Sequence, residues 1–358
     1  MQTIIITGGH HNSALVVAKE LVKKGFNIIW LGHRHASRGD KNDSAEYKEV
    51  TGSGIEFHEL KAGKLDSTPT FSEISNIPLG FIRAWKYLRN FNPVAVLSFG
   101  GYLGLTASLP AHLMGIPVYL HEQTLVAGKA NKWTGKFARR IYLAWNEAAK
   151  YFPFGKTQFV GLPLRTSIAN PKPKKLFAND LPTILVMGGK LGSHTINGHI
   201  FTALPSLLSR YNLVHQTGSN SVTGDYETAL LKKDSLPVEF MDRYLPVSYL
   251  SEDQIGTYLS SVELVVGRSG AHTAYELGLL GRKCVLIPFM HTTGSEQYQQ
   301  AKLLHKAGLA TLLPESELTT PKLLFAIKSS LSSPSVAPLA LPRDATSRLI
   351  NDLIANLP

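Results

Sequence analysis

The sequence is poor in cysteine and has no long apolar run. Its one cysteine, Cys284, cannot form an internal disulfide, and its place in the run K-C-V-L-I-P predicts a small buried side chain rather than a reactive thiol. A reducing compartment fits this usage. The most apolar stretch, residues 95–120, is interrupted by Gly100, Gly101 and Pro110, so a membrane-spanning helix is not expected.

Several catalytic signatures are missing as well. There is no G-x-G-x-x-G dinucleotide fingerprint, and the segment after the second predicted strand, Leu31-Gly32-His33-Arg34, has no acidic residue for a ribose. A Walker A loop, an H-E-x-x-H pair, a cysteine pair and a G-x-S-x-G elbow are also absent. The sequence therefore predicts neither a metal nor a cofactor, and it argues against a covalent serine nucleophile.

The rest of the composition is that of a globular protein. With 30 glycines and 20 prolines in 358 residues, the chain is neither collagen-like nor disordered. At about 150 residues per domain, this length predicts two substantial lobes. The N-terminal M-Q-T-I-I-I-T-G-G has no basic region and no cleavage site, so we expect it to form a strand in a cytoplasmic protein.

Positive charge is concentrated in the first half of the chain. The net charge is +11, and residues 1–165 carry 20 basic against 11 acidic side chains, whereas residues 166–358 carry 17 against 15. Within the first half, residues 74–165 have 11 basic and 2 acidic side chains. Such an excess predicts a surface that meets an anionic partner: nucleic acid, phospholipid headgroups or a phosphorylated substrate.

Short β-branched runs alternate with segments of helical spacing, which is typical of parallel α/β sheets. The predicted strands are residues 3–6, 26–31, 94–97, 117–120, 183–187, 212–216, 262–266 and 284–288. Residues 166–182 contain several prolines and lysines and no periodicity, which indicates an interdomain linker. We therefore predict two doubly wound domains, residues 1–165 and 183–340, followed by a closing helix within residues 341–358.

The loops that follow the predicted strands are the candidate binding sites. In open α/β sheets, ligands bind beyond the carboxyl ends of the strands, where glycine lets backbone amides approach and a helix N-terminus presents positive charge. Five such loops stand out: T-G-G-H-H at 7–11, F-G-G-Y at 99–102, H-E-Q-T at 121–124, G-G-K-L-G-S at 188–193 and G-R-S-G-A-H-T-A-Y-E at 267–276.

Three of these loops open a helix and could hold a phosphate. Residues 7–10 could do so with their amides, although a tight turn capped by His10 would give the same pattern. Residues 188–193 contain three glycines within five residues, more than a simple turn needs, which favours phosphate contact. Residues 267–271 precede a helix whose second turn carries Glu276, a carboxylate that could bind a ribose diol or could simply be solvated.

An amphipathic segment, I-P-L-G-F-I-R-A-W-K-Y-L-R at residues 77–89, is a further candidate surface. It is either an ordinary core-facing helix or a helix that lies on a bilayer. A basic cluster in the same half favours an anionic bilayer; it comprises Lys129, Lys132, Lys136, Arg139 and Arg140. Nucleic acid is not expected as a partner, because the chain has no RNA-binding signature or aromatic stacking motif.

Taken together, these loops resemble the MurG family of bacterial glycosyltransferases over most of the chain. The resemblance is carried by H-E-Q-T-L-V-A-G-K-A-N-K (121–132), G-L-P-L-R (161–165), I-L-V-M-G-G-K-L-G-S-H-T-I-N (184–197), G-R-S-G-A-H-T-A-Y-E-L (267–277), I-P-F-M-H (287–291) and E-Q-Y-Q-Q-A (296–301). It implies an α/β protein of the GT-B type, with two Rossmann-like doubly wound parallel-sheet domains facing a cleft. The second domain would hold the donor and the first the lipid acceptor.

The activity implied by the resemblance is an inverting glycosyl transfer that uses no metal or cofactor. N-acetylglucosamine would move from UDP-N-acetylglucosamine to an undecaprenyl-diphosphate-linked muramyl pentapeptide, converting lipid I to lipid II in peptidoglycan synthesis. The protein would be peripheral, on the cytoplasmic face of the cell membrane, and its partners would be the donor, the lipid-linked diphosphate acceptor and an anionic membrane surface.

The resemblance also implies roles for single residues. His10, in the family's T-G-G-H loop, would be the general base, since a neutral imidazole can take the proton of the acceptor hydroxyl. Leu250 would read uracil with its backbone, although Met241 fits the same position. The other expected substrate contacts are Thr7, Gly8, Gly9, Thr124, Arg165, Gly189, Lys190, Arg268, Ser269, Gly270, Ala271, His272, Thr273, Glu276 and Gln297. The expected membrane patch is Ile77, Leu79, Phe81, Ile82 and Trp85.

The sequence departs from the family in three places. The first loop, I-T-G-G-H-H-N-S, is shorter than the family's G-G-T-G-G-H and has Ser13 where a proline follows. Thr124 replaces the asparagine of H-E-Q-N, and Lys190 replaces the serine of G-G-S-Q-G. Two alternatives therefore stay open: a related transferase with another lipid-linked acceptor, and a noncatalytic subunit that binds a nucleotide sugar and anchors to the membrane.

Overall fold

The computed structural model describes residues 1–35, 43–62, 71–290 and 295–358, with the backbone alone for residues 71–77. The chain divides into two units. The first unit consists of Met1–Leu164 together with Pro342–Pro358, and the second unit consists of Arg165–Leu341.

The first unit is built on a parallel sheet. Its strands are β1 (Thr3–Thr7), β2 (Asn27–Gly32), β3 (Glu56–Glu59), β4 (Ala95–Ser98), β5 (Val118–Glu122), β6 (Arg140–Leu143) and β7 (Thr157–Phe159). Its helices are α1 (His11–Lys23), α2 (Ala45–Gly52), α3 (Phe71–Phe91), α4 (Gly101–Leu113), α5 (Lys129–Phe137) and, at the C-terminus, α14 (Ala345–Ala355). In the described residues the strand order is β3-β2-β1-β4-β5-β6-β7, and all neighbouring strands are parallel.

The apolar runs of this sheet are buried on both faces. Successive side chains of a strand point to opposite faces, so Ile4 and Ile6 pack with α1 and α14 in one core, while Ile5 packs with α3 and α4 in the other. This two-sided burial explains why the inner strands are apolar without alternation. The C-terminal helix α14 packs on α1, and the Tyr142 hydroxyl donates to Asp352 at 2.9 Å, which places the closing helix in the first unit.

The second unit repeats the architecture. Its strands are β8 (Thr183–Met187), β9 (Asn212–Gln216), β10 (Tyr244–Val247), β11 (Leu264–Gly267), β12 (Cys284–Leu286) and β13 (Ala310–Leu312). Its helices are α6 (Thr166–Ala169), α7 (His194–Leu208), α8 (Asp225–Asp234), α9 (Val238–Met241), α10 (Glu252–Ser261), α11 (Ala271–Leu280), α12 (Glu296–Lys306) and α13 (Thr320–Ser332). The described strands lie in the order β10-β9-β8-β11-β12-β13, again all parallel. The predicted fold class, two doubly wound parallel-sheet domains, is confirmed.

Strand order reverses at one point in each sheet. In the first unit β1 lies between β2 and β4, and in the second β8 lies between β9 and β11. Beside such a reversal the connecting helices leave on opposite faces, which opens a crevice at the carboxyl ends of the two central strands. The loops after β1, β4, β8 and β11 are four of those that the sequence singled out.

The segment after Arg165 begins within the second unit. Residues 166–182, expected to be a linker, start with helix α6, which packs on α10. The Ser167 hydroxyl donates to the Glu252 carbonyl, and a Cβ on Gly256 would lie 1.8 Å from the Ser167 carbonyl oxygen. Only glycine at position 256 allows this close approach of the two helices.

Candidate functional site

The two glycine loops of the first unit are bonded to each other. Gly8 has a φ of +133°, and a Cβ there would lie 2.6 Å from the Phe99 carbonyl carbon, so this position requires glycine. The Gly9 amide donates to the Gly100 carbonyl at 3.1 Å. The Thr7 side chain is fully buried and faces the interior. Residues 7–10 and 99–102 therefore form one rigid floor at the reversal point of the sheet.

The adjacent histidines of the first loop occupy different positions. His10 is the N-cap residue of α1 and is partly buried. His11 opens the helix, and its Nε2 lies 3.1 Å from Glu49 Oε2 on α2. A cavity of about 320 Å³ lies at these strand ends, and its described lining includes His11 but not His10. The lining residues are Gly8, Gly9, His11, His33, His35, Ser44, Ala45, Glu46, Gly101, Tyr102 and Leu103.

The walls of this cavity carry groups that can exchange protons. The His33 imidazole forms a hydrogen bond with the Tyr102 hydroxyl, and burial lowers the pKa of His33 against the opposing charge of Glu59. Burial raises the pKa of Glu46, although Trp30 Nε1 donates to this carboxylate at 2.8 Å. Sequence reasoning did not assign these residues, although His33 directly follows β2.

Thr124 belongs to a buried network in the first unit rather than to an exposed surface. The Glu122 carboxylate accepts from the Thr124 amide at 2.9 Å, from the Thr124 hydroxyl at 2.7 Å and from Asn131 Nδ2 at 2.8 Å. Asn131 Oδ1 in turn accepts from the Gly101 amide at 2.9 Å. Burial raises the pKa of Glu122, and the hydrogen bonds from Asn131 and Thr124 oppose that shift. The network connects the H-E-Q-T segment to the second glycine loop.

In the second unit, the loop of residues 188–193 is fixed by glycine and by its neighbours. Gly192 has a φ of +84°, and a Cβ there would lie 1.9 Å from the Thr217 carbonyl oxygen. The Gly189 carbonyl accepts from Gln216 Nε2 at 2.9 Å, and the Lys190 carbonyl accepts from the Ser219 amide at 3.0 Å. Gly189 itself is exposed and has open space around it. The loop therefore has a defined shape with one open side.

Arg268 is bonded to protein groups on several sides. Its guanidinium donates to both Glu315 carboxylate oxygens, at 2.8 and 3.0 Å, to Ser193 Oγ at 2.9 Å and to the Ile287 carbonyl at 3.1 Å. These bonds join the loops after β8 and β11 across the reversal point. Glu315, which sequence reasoning missed, neutralises the arginine that we expected to contact substrate.

Helix α11 begins after a residue that has no side chain to cap it. Gly270 is the N-cap, so the first-turn amides, which include those of Ala271, His272 and Thr273, receive no side-chain cap from it. Such a terminus favours an anion. Hydrogen bonds also connect Gln297 to two neighbouring loops: Ser269 Oγ donates to the Gln297 carbonyl at 2.8 Å, and Gln297 Oε1 accepts from the Phe289 amide at 3.0 Å.

Glu276 is buried and paired with Arg165. Its side chain is 1% exposed, its Oε1 accepts from Arg165 Nη2 at 2.6 Å, and His272 Nδ1 lies 3.8 Å from the same oxygen. Burial would raise the pKa of Glu276, but the charges and hydrogen bonds of Arg165 and His272 outweigh it and hold the pKa below its usual value. Within the described residues, Glu276 Oε2 and Arg165 Nε have no hydrogen-bond partner. A solvated carboxylate is therefore the wrong interpretation of Glu276.

The two candidates for uracil recognition lie at opposite ends of the strands of the second sheet. Leu250 follows β10 and precedes α10, whose first turn is closed by a capping box between Ser251 and Gln254. Met241 ends α9, before β10 begins. Leu250 therefore lies at the carboxyl ends of the strands, with the other expected donor residues, and Met241 lies at the amino ends.

The amphipathic segment of the first unit forms one long helix, α3. Leu79, Ile82 and Trp85 are 44%, 53% and 42% exposed, whereas Ala84 and Leu88 are fully buried. The side chain of Ile77 lies outside the described part of the chain. A groove of about 520 Å³ runs between α3 and α4; its lining residues are Phe81, Ile82, Trp85, Lys86, Arg89, Asn90, Leu109, Pro110 and Leu113. Among the described residues, no helix is long and apolar enough to cross a membrane.

The basic cluster of residues 129–140 lies on and beside α5. Trp133 is 60% exposed, and Lys136 Nζ lies 4.1 Å from the centroid of its ring. Helix α4 packs against both α3 and α5, so the basic cluster and the exposed apolar residues belong to neighbouring helices. Across the described ranges, no three or more His, Cys, Asp or Glu side chains are grouped as metal ligands.

Comparison with known proteins identifies the family. The glycosyltransferase family 28 N-terminal domain matches residues 3–143, and the C-terminal domain of the same family matches residues 183–349. A UDP-N-acetylglucosamine–N-acetylmuramyl-(pentapeptide) pyrophosphoryl-undecaprenol N-acetylglucosamine transferase of Pasteurella multocida is 33% identical, covering 89% of this chain and 84% of its own length. The enzyme of the same name from Syntrophus aciditrophicus is 30% identical, covering 92% and 89%.

The fold is also similar to that of a solved structure. The crystal structure of Acinetobacter baumannii MurG superposes with a TM-score of 0.73 at 23% identity, covering 99% of both chains. Together with the two domain matches and the sequence relatives, this similarity establishes the GT-B fold. The chain belongs to glycosyltransferase family 28 and, within it, to the MurG family.

Proposed function

We propose that this protein transfers N-acetylglucosamine from UDP-N-acetylglucosamine to an undecaprenyl-diphosphate-linked muramyl pentapeptide, with inversion at the anomeric carbon. The single observation that carries the proposal is the buried Arg165–Glu276 pair at the start of α11, beside a helix N-terminus without a side-chain cap. The names of the sequence relatives supply the sugar and the acceptor.

The donor is assigned to the second unit because its groups suit a nucleoside diphosphate. Glu276 Oε2, which has no partner in the described part, is the acceptor for a ribose hydroxyl. Arg165 is a positioning residue: its 2.6 Å bond keeps the carboxylate ionised and oriented. The amides at the start of α11 and the loop of residues 188–193 bind the diphosphate. Gln297 binds the sugar, and the backbone of Leu250 binds the uracil base.

The proton acceptor is assigned to the first unit. The acceptor hydroxyl forms a bond to the anomeric carbon, while the bond from that carbon to the diphosphate oxygen breaks and its electron pair leaves with UDP. His10 takes the hydroxyl proton, a role for which neutral imidazole is suited near pH 7. His11, which lines the cavity and bonds to Glu49, is the competing base.

Membrane association is assigned to the exposed face of α3, α4 and α5. Apolar residues such as Ile82 and Trp85 would enter the headgroup region, while Lys86, Arg89 and the lysines of α5 attract anionic lipid. A peripheral protein on the cytoplasmic face of the cell membrane would meet its lipid-linked substrate there.

A panel of donors and acceptors tests the proposal. The purified full-length chain is incubated with UDP-N-acetylglucosamine, UDP-glucose or UDP-N-acetylgalactosamine and with several lipid-linked diphosphates, and UDP release is measured. We expect turnover with UDP-N-acetylglucosamine and the muramyl pentapeptide lipid. Turnover confined to another lipid would indicate a related transferase, and UDP binding without turnover on any acceptor would indicate a noncatalytic subunit.

A further inference from the structure

Arg268 joins the carboxyl ends of four neighbouring strands in the second unit. It directly follows β11, and its Nη2 donates to Ser193 Oγ in the loop after β8 at 2.9 Å. Its Nη1 donates to the carbonyl of Ile287, the residue after β12, at 3.1 Å. The Glu315 carboxylate, after β13, accepts from both Nη atoms at 3.0 and 2.8 Å. These four bonds use the four N–H groups of the two Nη atoms, so the guanidinium plane is fixed.

The bond to Ser193 fixes the starts of two helices relative to each other. Ser193 is the N-cap of α7, and its Oγ accepts from the Ile196 amide at 3.5 Å. Gly270, the N-cap of α11, is two residues after Arg268. Strands β8 and β11 are neighbours, so the two helix N-termini lie side by side, and both belong to the segments assigned above to the diphosphate. Arg268 therefore sets their separation.

The same arginine lies against the segment that carries the sugar contact. Its Cζ is 5.5 Å from the centroid of the Phe289 ring. The Phe289 amide donates to Gln297 Oε1 at 3.0 Å, and the Oγ of Ser269, the residue after Arg268, donates to the Gln297 carbonyl at 2.8 Å. The uracil base, by contrast, is assigned to the segment after β10, which is separated from β8 by β9. The surroundings of Arg268 thus include the diphosphate and sugar contacts but not the base contact.

Positive charge is concentrated at this point of the sheet. Each helix N-terminus carries a partial positive charge, and Arg268 adds a full charge on a side chain that is 14% exposed. A guanidinium this buried is strongly destabilising without a counter-ion. Glu315, whose side chain is 22% exposed, supplies the counter-ion through a two-pronged contact, the geometry in which guanidinium and carboxylate match best. The carboxylate therefore allows a cation and two helix N-termini to lie together.

We propose that Glu315 is a positioning residue for donor binding, an inference that rests on the proposed function. By neutralising and orienting Arg268, it holds the starts of α7 and α11 at the separation that the diphosphate requires, and it acts on the donor only through that arginine. The opposite role is that of a counter-ion that the diphosphate displaces in order to bind Arg268 itself. The two roles predict opposite signs, since removing the carboxylate would weaken UDP binding in the first case and strengthen it in the second.

Calorimetry with UDP, and with uridine in competition with UDP, tests this role because uridine lacks both phosphates. The full-length variants are Glu315→Gln, which keeps the shape but loses the charge, and Glu315→Asp, which keeps the charge. Glu317→Gln is the matched control, because Glu317 lies in the same short helix (Glu315–Glu317), its side chain is 59% exposed and its Oε2 is 3.6 Å from Lys322 Nζ. Arg268→Gln and the double variant Arg268→Gln/Glu315→Gln complete a thermodynamic cycle. Melting curves check folding, and binding is measured below the lowest melting temperature.

We expect Glu315→Gln to weaken UDP binding by about fivefold or more and to leave uridine affinity within about twofold. Glu315→Asp should retain most of the UDP affinity, and Glu317→Gln should retain all of it. In the Arg268→Gln background, the second substitution should have little further effect, because the carboxylate acts through the arginine.

Tighter UDP binding by Glu315→Gln would assign Arg268 to the phosphate and overturn the positioning role. Unchanged UDP affinity, equal losses for UDP and uridine, or an undiminished loss in the Arg268→Gln background would overturn it as well, and each of these results leaves the proposed function standing. If the unchanged chain does not bind UDP, the proposed function fails and this inference fails with it.

Discussion

The two units have the same architecture at the point where strand order reverses, but they differ in the side chains placed there. In the first unit the reversal carries His11, His33 and Tyr102 around a cavity of about 320 Å³. In the second it carries Arg165 and Arg268, each paired with a carboxylate. Each unit therefore has glycine loops at the same place in its fold, and the side chains beside those loops determine which chemistry each unit can perform.

This difference indicates which steps each unit can perform. Imidazole changes its protonation near neutral pH, so the first unit can accept a proton during turnover. Guanidinium keeps its charge, so the two arginines of the second unit can bind phosphate and hold Glu276 ionised, but they cannot act as bases. The histidine of β9, His215, is fully buried, and burial lowers its pKa to about 3 against the opposing charge of Asp225.

The largest effect is expected from removing the base of the first unit. His10→Ala should lower turnover by at least about a hundredfold across pH, because a general base contributes about 10²- to 10⁴-fold. Its melting temperature should be nearly unchanged. His11→Ala is the matched control on the adjacent position, measured in the same UDP-release assay. If the His11 variant loses turnover instead, His11 rather than His10 is the base. If both variants keep their activity, no side chain of this loop takes the proton.

Removing the ribose contact of the second unit should have the next largest effect. Glu276→Ala should weaken UDP binding by about 1.5 to 3 kcal/mol, the range for a hydrogen bond to a charged group. Because Arg165 is then left buried and unpaired, the measurement is made by calorimetry on protein shown to be folded. Glu239→Ala, an exposed carboxylate of α9 at the amino edge, is the control. If the folded Glu276→Ala variant binds UDP with normal affinity, Glu276 does not bind the ribose.

The buried histidine of the second unit predicts a loss of stability in acid. The folded pKa of His215 is about 3, and its unfolded pKa is 6.5, so the unfolded chain binds a proton that the folded chain excludes between these values. As the pH falls from above 6.5 to 5, the free energy of unfolding should therefore fall by about 2 kcal/mol. Urea unfolding at pH 7.5 and pH 5 should show a smaller drop for His215→Gln than for the unchanged chain; an equal drop would contradict this assignment.

The smallest effects are expected at the membrane surface of the first unit. Each basic residue near an anionic bilayer contributes about 1 kcal/mol, so Lys86→Ser should weaken vesicle binding about fivefold at low salt and less at high salt. Lys328→Ser in the second unit should leave binding unchanged. The fluorescence of Trp85 should shift on contact with anionic vesicles, and indifference to them would assign the exposed face of α3 to another role.

The sequence predicted the central strands of both sheets better than their edges. All eight predicted strands exist, and they correspond to β1, β2, β4 and β5 and to β8, β9, β11 and β12, which are buried and mostly apolar. The edge strands β3, β7, β10 and β13 were not predicted, nor was β6, which lies between β5 and β7 in the first sheet. They are three or four residues long and include the charged run E-F-H-E and Pro246, a residue that edge strands tolerate.

The glycine loops of the site were predictable because their spacing after the strands is local. The pairing of Arg165 with Glu276 was not, since 111 residues separate them and nothing in either segment specifies the other. The same holds for Arg268 and Glu315. The sequence identified the residue types of the second unit's site, and only tertiary structure shows that two of its arginines are already neutralised.

The division of labour between the units is tested most directly by the UDP affinity of His10→Ala, measured by calorimetry beside the unchanged chain and Glu276→Ala. If the first unit supplies only the base, His10→Ala should bind UDP like the unchanged chain while turning over at least about a hundredfold more slowly. Glu276→Ala should bind UDP about tenfold or more weakly. A His10→Ala protein that loses UDP affinity as severely as Glu276→Ala would contradict the assignment of donor and base to separate units.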